Sequence, residues 1–337
     1  MLRRRFNRSA SAPDKIDAPV YGLNMEVNGE LSASIIVPTR NRAELLKRFL
    51  PLLAEQSARD SYEIIVVNNG STDSTAAVVS DAAKKWTHIR MIDEPWLGSA
   101  RAIHTGAAAA KSPILIFIDD DMSVGADFVA RHLAAHRESP GDCVLGQILS
   151  APGRHPFERM LAYIYDGPRN TLPYRQPEPS DYWSGNVSMA RELYFRLGGY
   201  DEEFAKIGYG KDIEFGMRLV AAGVKMRFVP EAISFQHFIE RFDERLKKAV
   251  RTGFALAYIK ENHPEFPVSA MDARGSRLYL RGIELLCRVA ARVIEPFDTG
   301  EGTPVKPLSF VYDLGLRAAT QRGMMGYRAK WRMDEHC

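Results

Sequence analysis

Asp119, Asp120 and Asp121 follow directly on the apolar run Ile114–Ile118 (ILIFI). Adjacent carboxylates repel one another at close range, and the arrangement is stable only where a cation or hydrogen-bond donors offset the charge. Hard oxygen ligands at a strand end suit Mg²⁺ or Mn²⁺, ions that keep some water and complete their shells with substrate phosphates. A solvated acidic turn capping the next helix is the plainer reading of the same residues. A further carboxylate pair, Asp212 and Glu214, opens a helical pattern over 211–222 that Gly223 closes. Residues two apart on a helix point about 200° away from each other, so only one of the pair faces any cleft. Glu214 stands four before Arg218 and suits an ion pair with it. Asp212 is then left at the edge of the buried stripe begun by Phe215 and Leu219.

The elements that must position these groups alternate in type. Residues 34–37, 63–67, 88–92 and Ile114–Ile118 are short apolar runs, predicted as strands. Between them, 42–55, 74–85 and 100–110 carry helical period. Alternation of this kind predicts βαβ units and an α/β fold with a largely parallel sheet buried on both faces. Polar residues cluster behind the strands at 38–41, 68–73 and 119–121, and ligands of open α/β sheets bind outside those carboxyl ends. Residues 151–181 lack clear period and predict a long loop with one helix at 157–165; loops of that length usually serve function. Further strands are predicted at Asn186–Ala190, 225–229 and 233–237, a helical turn at 191–197, and a long helix over 241–262.

Several of these segments resemble, in order, motifs of the family 2 glycosyltransferases of GT-A fold. Residues 34–42 (SIIVPTRNR) are similar to that family's opening strand and nucleotide loop, and 66–75 (VVNNGSTDST) to its second loop. The start of a helix near the diphosphate is matched by 98–101 (GSAR), and the metal-binding strand end by 117–121 (FIDDD). Residues 183–191 (WSGNVSMAR) resemble the acceptor-side segment and 210–219 (GKDIEFGMRL) the helix that carries the base. The resemblance runs from about Ser34 to His237 and implies a mixed, mostly parallel Rossmann-like sheet flanked by helices, at 33–240, divided into a nucleotide-sugar half (33–135) and an acceptor half (136–240).

By that resemblance, Pro38, Thr39 and Arg40 line the base pocket, Asn69 meets the base edge, and Arg101 approaches the diphosphate. Asp119 holds the ribose, Asp121 the metal, and Asp120 is the variable middle residue. His237 completes the metal shell, with Mn²⁺ or Mg²⁺ as cofactor; a plain hydrogen-bonding histidine is the alternative. Trp183 stacks on a sugar or packs in the core, Gly185 and Asn186 belong to the acceptor side, and Asp212 is the general base. Two residues depart from the family pattern: Asn69 stands where an acid is usual, and Lys211 where a glutamate is. Two roles are open to Lys211, lowering the pKa of Asp212 by proximity or reaching a phosphorylated acceptor.

The implied activity is inverting transfer of a sugar from a nucleoside diphosphate sugar, UDP-linked by expectation, to a hydroxyl of a carbohydrate, lipid-linked or other acceptor. The alternatives weighed are a non-catalytic nucleotide-sugar-binding homologue and a sugar-1-phosphate nucleotidyltransferase. The latter would want a Gly-rich loop near the first strand, and 38–41 holds no glycine.

The 337 residues carry 45 basic against 42 acidic side chains, too even a balance to argue for nucleic acid. Cys143, Cys287 and Cys337 are odd in number and far apart, which fits a reducing, cytoplasmic setting better than a disulfide framework. The basic stretch 1–8 has no apolar run behind it, so 1–32 is expected to be a tail rather than a secretion signal. Residues 241–337 are expected to form a helical appendage. Its amphipathic segments, 278–294 and 317–332, carry Arg281, Arg288, Arg292, Arg322, Arg328, Lys330 and Arg332 beside apolar residues. Such faces permit peripheral contact with an anionic membrane surface, on the inner face, or a homodimer contact; packing on the main domain is the plainer reading.

Overall fold

The computed structural model describes residues 32–58, 62–153, 155–238, 241–266, 277–298, 304 and 306–334. The expected tail at 1–32 lies almost wholly outside them, as do Cys337 and the side chains of Arg328, Lys330 and Arg332.

The first part of the chain alternates β1 (Ala33–Thr39), α1 (Ala43–Ala54), β2 (Tyr62–Asn68), α2 (Thr75–Lys85), β3 (Ile89–Asp93), α3 (Ser99–Ala109) and β4 (Ile114–Ile118). Residues 122–150, to which the sequence pattern assigned no element, hold β5 (Met122–Val124), α4 (Phe128–Glu138) and β6 (Cys143–Ser150). The helix expected at 157–165 is longer: α5 spans Pro156–Arg169 and starts with a capping box between His155 and Glu158. Two single 3₁₀ turns follow, then β7 (Asn186–Ala190), α6 (Arg191–Arg196), α7 (Glu203–Ile207), α8 (Lys211–Ala221) and β8 (Met226–Gln236). The two strands expected at 225–229 and 233–237 are one strand. Its ladder to β6 jumps from Gly146↔Val229 to Gln147↔Ile233, so Pro230, Glu231 and Ala232 bulge out where proline cannot donate.

All eight strands form one sheet in the order β3-β2-β1-β4-β7-β6-β8-β5. The β3-β2-β1-β4 half is parallel, β7 runs antiparallel to β4 and β6, and β5 runs antiparallel to β8. Alternate strand residues feed two cores. Ile36, Val67, Leu115 and Phe117 pack toward α3, α6, α8 and α9 (Phe242–Asn262), whereas Ile35, Val66, Ile116 and Ile118 pack toward α1, α2 and α4. That two-sided burial explains why the strands read as uniformly apolar.

The helical C-terminal region comprises α9, α10 (Arg277–Ile294) and α11 (Lys306–Asp334). With α5 it encloses a third core around Phe157, Phe242, Leu246, Leu308 and Tyr312. A buried pair between Glu284 and Arg322 ties α10 to α11, the guanidinium Nη2 donating over 2.9 Å. Among the described residues no helix is long and apolar enough to cross a membrane.

Candidate active site

The crevice lies where the sheet reverses direction, between β4 and β7, with the loops after β1, β2 and β4 on one side and α8 on the other. This is the position at which open α/β sheets take their ligands. Thr39, the last residue of β1, donates its hydroxyl to Asp120 Oδ2 over 2.7 Å, and Arg42 Nε lies 3.9 Å from Asp120 Oδ1. Loop after β1 and loop after β2 are laced together. Asn41 has φ +53°, a conformation asparagine tolerates, and its backbone N–H donates to Ser71 while its side-chain oxygen accepts from the Thr72 N–H. Pro38 lies within β1, and Arg40 is exposed at its end.

Asn69 is buried and fully bonded. Its amide nitrogen donates to the carbonyls of Glu94 (3.0 Å) and Trp96 (2.8 Å), and its oxygen accepts from the Gly98 N–H (2.8 Å). The residue that departs from the family acid therefore shapes the loop leading into α3. Gly98 caps that helix at φ +139°, and a Cβ there would sit 2.5 Å from the Ala205 Cβ, so only glycine lets α7 come this close. Arg101, in the first turn of α3, sits 3.7 Å from both Glu94 and Glu202 and 5.9 Å from the Trp96 ring centroid. Both ion pairs are long, and the guanidinium is more than a third exposed.

Burial raises the pKa of each of Asp119, Asp120 and Asp121. Asp121 adds to the effect on Asp119, and Asp120 to that on Asp121, while Lys211 and Lys248 act against it at Asp119. One oxygen of Asp121, Oδ1, is buried with no hydrogen-bond partner. An orphaned carboxylate oxygen inside an acidic cluster suits a divalent cation. Among the described residues no group of three or more His, Cys, Asp and Glu converges tightly enough to hold a metal unaided. Water and substrate oxygens would have to complete the shell, as Mg²⁺ and Mn²⁺ accept. The pairing of β5 with β8 brings His237 alongside: its backbone N–H donates to the Asp121 carbonyl over 2.9 Å, and its Nε2 lies 3.0 Å from Ser123 Oγ.

Across the crevice, Gly185 presses on the aspartates, since a Cβ there would lie 3.1 Å from Asp119 Oδ2. The next residue back, Ser184, accepts a bond from Lys211 Nζ at 2.6 Å, and the same ammonium donates to Asp212 Oδ1 at 2.8 Å. Lys211 is buried, 8% exposed, and Asp212 is half-buried in the first turn of α8. Glu214 points the other way, as the helical angle predicts. It is buried against Arg218, whose Nη2 donates to it over 2.7 Å and to the Gly199 carbonyl over 2.7 Å.

Asn186 sits deeper, at the start of β7. It donates to the carbonyls of Gln147 and Ala232 and to Ser234 Oγ, and its side-chain oxygen accepts from His132 Nε2 over 2.9 Å. Trp183 is bound edge-on to Tyr165, and its indole N–H donates to the Ser180 carbonyl. The Arg169 guanidinium lies 3.9 Å above the Trp183 ring centroid. Sequence reasoning missed Arg169, Ser184 and Lys248. Arg169 belongs to an aperiodic stretch, Ser184 sits unmarked inside a motif, and Lys248 lies on α9, where only folding brings it toward the aspartates.

With this geometry in view, residues 34–196 match the model of Glycosyl transferase family 2, and residues 171–242 match that described as N-terminal domain of galactosyltransferase. Residues 34–196 are thus similar in sequence to family 2 glycosyltransferases, and the fold is of GT-A type. Validoxylamine A glucosyltransferase of Streptomyces hygroscopicus subsp. jinggangensis (strain 5008) is 32% identical over 240 residues, covering 63% of this chain and 56% of that protein. O-antigen biosynthesis protein RfbC of Myxococcus xanthus is 29% identical over 234 residues, covering 62% of this chain and 18% of the relative. The chain thus spans about half, or less, of the length of these curated relatives. Mannosyltransferase PcManGT from Pyrobaculum calidifontis, solved with GDP-Man and Mn²⁺, shares the fold with TM-score 0.51 at 19% identity, over 90% of this chain and 74% of that one. S. aureus TarS 1-349 does so with TM-score 0.53 at 15% identity, over 89% and 92% respectively.

Proposed function

We propose that this chain transfers a sugar from a nucleoside diphosphate sugar, UDP-linked by preference, to an acceptor hydroxyl with inversion at the anomeric carbon. The observation that carries the reading is the aspartate cluster at the end of β4, with its orphaned Asp121 oxygen, facing the Lys211–Asp212 pair across one crevice. Pro38, Thr39 and Arg40 form the base pocket, with Asn69 holding the loop beneath it. Arg101 turns from its long ion pairs to the diphosphate, Asp119 binds the ribose, and Asp121, with His237 beside it, holds Mn²⁺ or Mg²⁺. When bound, that cation offsets the charge developing on the leaving diphosphate.

Asp212 accepts the proton of the attacking hydroxyl as the new glycosidic bond forms at the anomeric carbon and the bond to the diphosphate breaks. Lys211 fixes the carboxylate through one oxygen and leaves Oδ2 to the acceptor. Trp183, Gly185 and Asn186 lie on the acceptor side. Calorimetric titration with UDP, GDP, ADP and CDP, with and without Mn²⁺, tests the donor half: one nucleotide should bind only with metal, and Asp121→Ala should abolish it. Binding indifferent to metal and to Asp121 would remove the support.

A second reading concerns location. On α10, Leu278, Leu285, Leu286, Val289 and Val293 are exposed, with Phe297 just beyond, and Arg281 and the 73%-exposed Arg292 flank them. Apolar residues bordered by arginine suit the anionic cytoplasmic face of a membrane, with peripheral attachment. Pelleting with phosphatidylserine vesicles, lost in a Leu286→Glu/Val289→Glu variant, is the expected result; a salt-resistant dimer in clean solution would favour pairing of two copies instead.

A further inference from the structure

Behind Trp183, on the acceptor side, is a cavity of about 410 Å³ lined by Tyr165, Arg169, Leu172, Trp183 and Asn186 among others. Its charged residues are unevenly paired. Arg175 is matched by Asp181, which it grips with two bonds of 2.5 and 2.7 Å, and Glu178 stands exposed at the rim. Arg169 is not matched. It is 6% exposed, its Nη2 donates only to the neutral amide of Gln236 (3.0 Å), and its Nε and Nη1 are buried with no acceptor. A buried guanidinium with two idle nitrogens is costly unless an anion takes up their N–H groups. Asp166, Asp119 and Asp121 attract it from a distance, and none of them bonds to Nε or Nη1. Trp183, one face of which carries that cation at 3.9 Å, also lines the cavity and offers a sugar ring an apolar wall.

We infer that this cavity is a subsite for an anionic acceptor, a sugar or polyol whose carboxylate or phosphate is bound by Arg169 while its ring lies against Trp183. The segment 183–186 carries the connection to chemistry. Trp183 lines the cavity, Ser184 bonds to Lys211 beside Asp212, and Gly185 abuts Asp119. An acceptor anchored at Arg169 is therefore linked, through Trp183 and Ser184, to the Lys211–Asp212 pair. The inference rests on the glycosyltransferase reading for what the anchored molecule does, and not for its binding.

Ligand-observed NMR and calorimetry on the full chain, without donor, would compare glucose, glucuronate, glucose 6-phosphate and inorganic phosphate. Glucuronate or glucose 6-phosphate should bind at least tenfold more tightly than glucose, and whichever wins names the anion. Arg169→Gln should erase that preference and Arg169→Lys should keep part of it, while metal-dependent nucleotide binding persists in both as proof of folding. Equal binding of neutral and anionic sugars by the unaltered protein overturns the inference whatever the variants do, and so does a preference that survives Arg169→Gln. Nucleotide binding without anionic preference sinks the subsite alone; anionic preference without nucleotide binding sinks the transferase reading and leaves the subsite.

Discussion

Lys211 Nζ lies 2.8 Å from Asp212 Oδ1, so neighbouring residues at the start of α8 form an ion pair, and the same ammonium is anchored by Ser184 Oγ at 2.6 Å. Adjacent residues on a helix point about 100° apart, and the long lysine chain must fold back to make this contact. It fixes one carboxylate oxygen and leaves the other free. Replacing Lys211 with Gln should therefore lower kcat roughly tenfold with little change in donor KM, because a positioning bond is lost and donor contacts are kept. Steady-state kinetics in both substrates would check the split; an unchanged kcat would make the pair purely structural.

Asp121→Asn should stabilise the metal-free protein. A carboxyl whose folded pKa is raised is penalised when ionised, so its contribution is present at low pH and lost as pH rises through the folded value. At pH 7.5 the variant should melt roughly 2–6 °C higher than the parent without metal. It should also lose the rise in melting temperature that Mn²⁺ with nucleotide gives the parent. A variant that melts lower would mean Asp121 is held by partners rather than strained by neighbours.

His132 and His136 share the Ser188 hydroxyl at 2.8 Å each, in the core behind β7. Burial lowers their pKa values to about 4 and about 3, so each is neutral in the fold and must stay so. The unfolded chain binds more protons below about pH 6.5, and stability from each falls as pH drops from there. His136→Gln removes one such group; relative to the parent it should gain on the order of 2 kcal/mol between pH 7 and pH 5. Urea unfolding at both pH values measures that difference, and an equal loss in both proteins would contradict it.

Gly98→Ala should cost more than about 1 kcal/mol and weaken nucleotide binding. The added Cβ meets Ala205 at 2.5 Å in a backbone conformation that alanine avoids, and α3 must retreat, carrying Arg101 with it. Thermal melting and calorimetry on the same preparation would show both effects; loss of stability with intact affinity would detach the α3 start from the nucleotide.

Much of this site is readable in the chain because it rests on local pattern. The βαβ run from Ala33 to Ile118 is legible since β1, β2 and β4 are largely apolar on both faces, and the acidic end of β4 stands out against it. Glu214 pairing with Arg218, and Asp212 facing elsewhere, follow from helix angle alone. What hides is what depends on distant partners. Strand β6 is apolar only in part and borrows its pairing from β7 and β8, and the bulge at Pro230 makes one strand read as two. Asn69 is read as a base contact because of where it falls in a motif, whereas its bonds to Glu94, Trp96 and Gly98 appear only once β3 has brought that loop alongside. Arg169 has no pattern around it, and its lack of a carboxylate hydrogen bond among the described residues is a fact of packing.

The most direct test of the account is nucleotide release from a panel of nucleoside diphosphate sugars with Mn²⁺, in the parent and in Asp212→Asn, with neutral and anionic sugars as acceptors. One donor should turn over, and Asp212→Asn should slow release about 10²–10⁴-fold while binding the nucleotide as tightly as before. Release unaffected by Asp212→Asn would contradict the assignment of the base. Tight, metal-dependent nucleotide binding with no release under any acceptor would mean the fold binds donor sugars without transferring them.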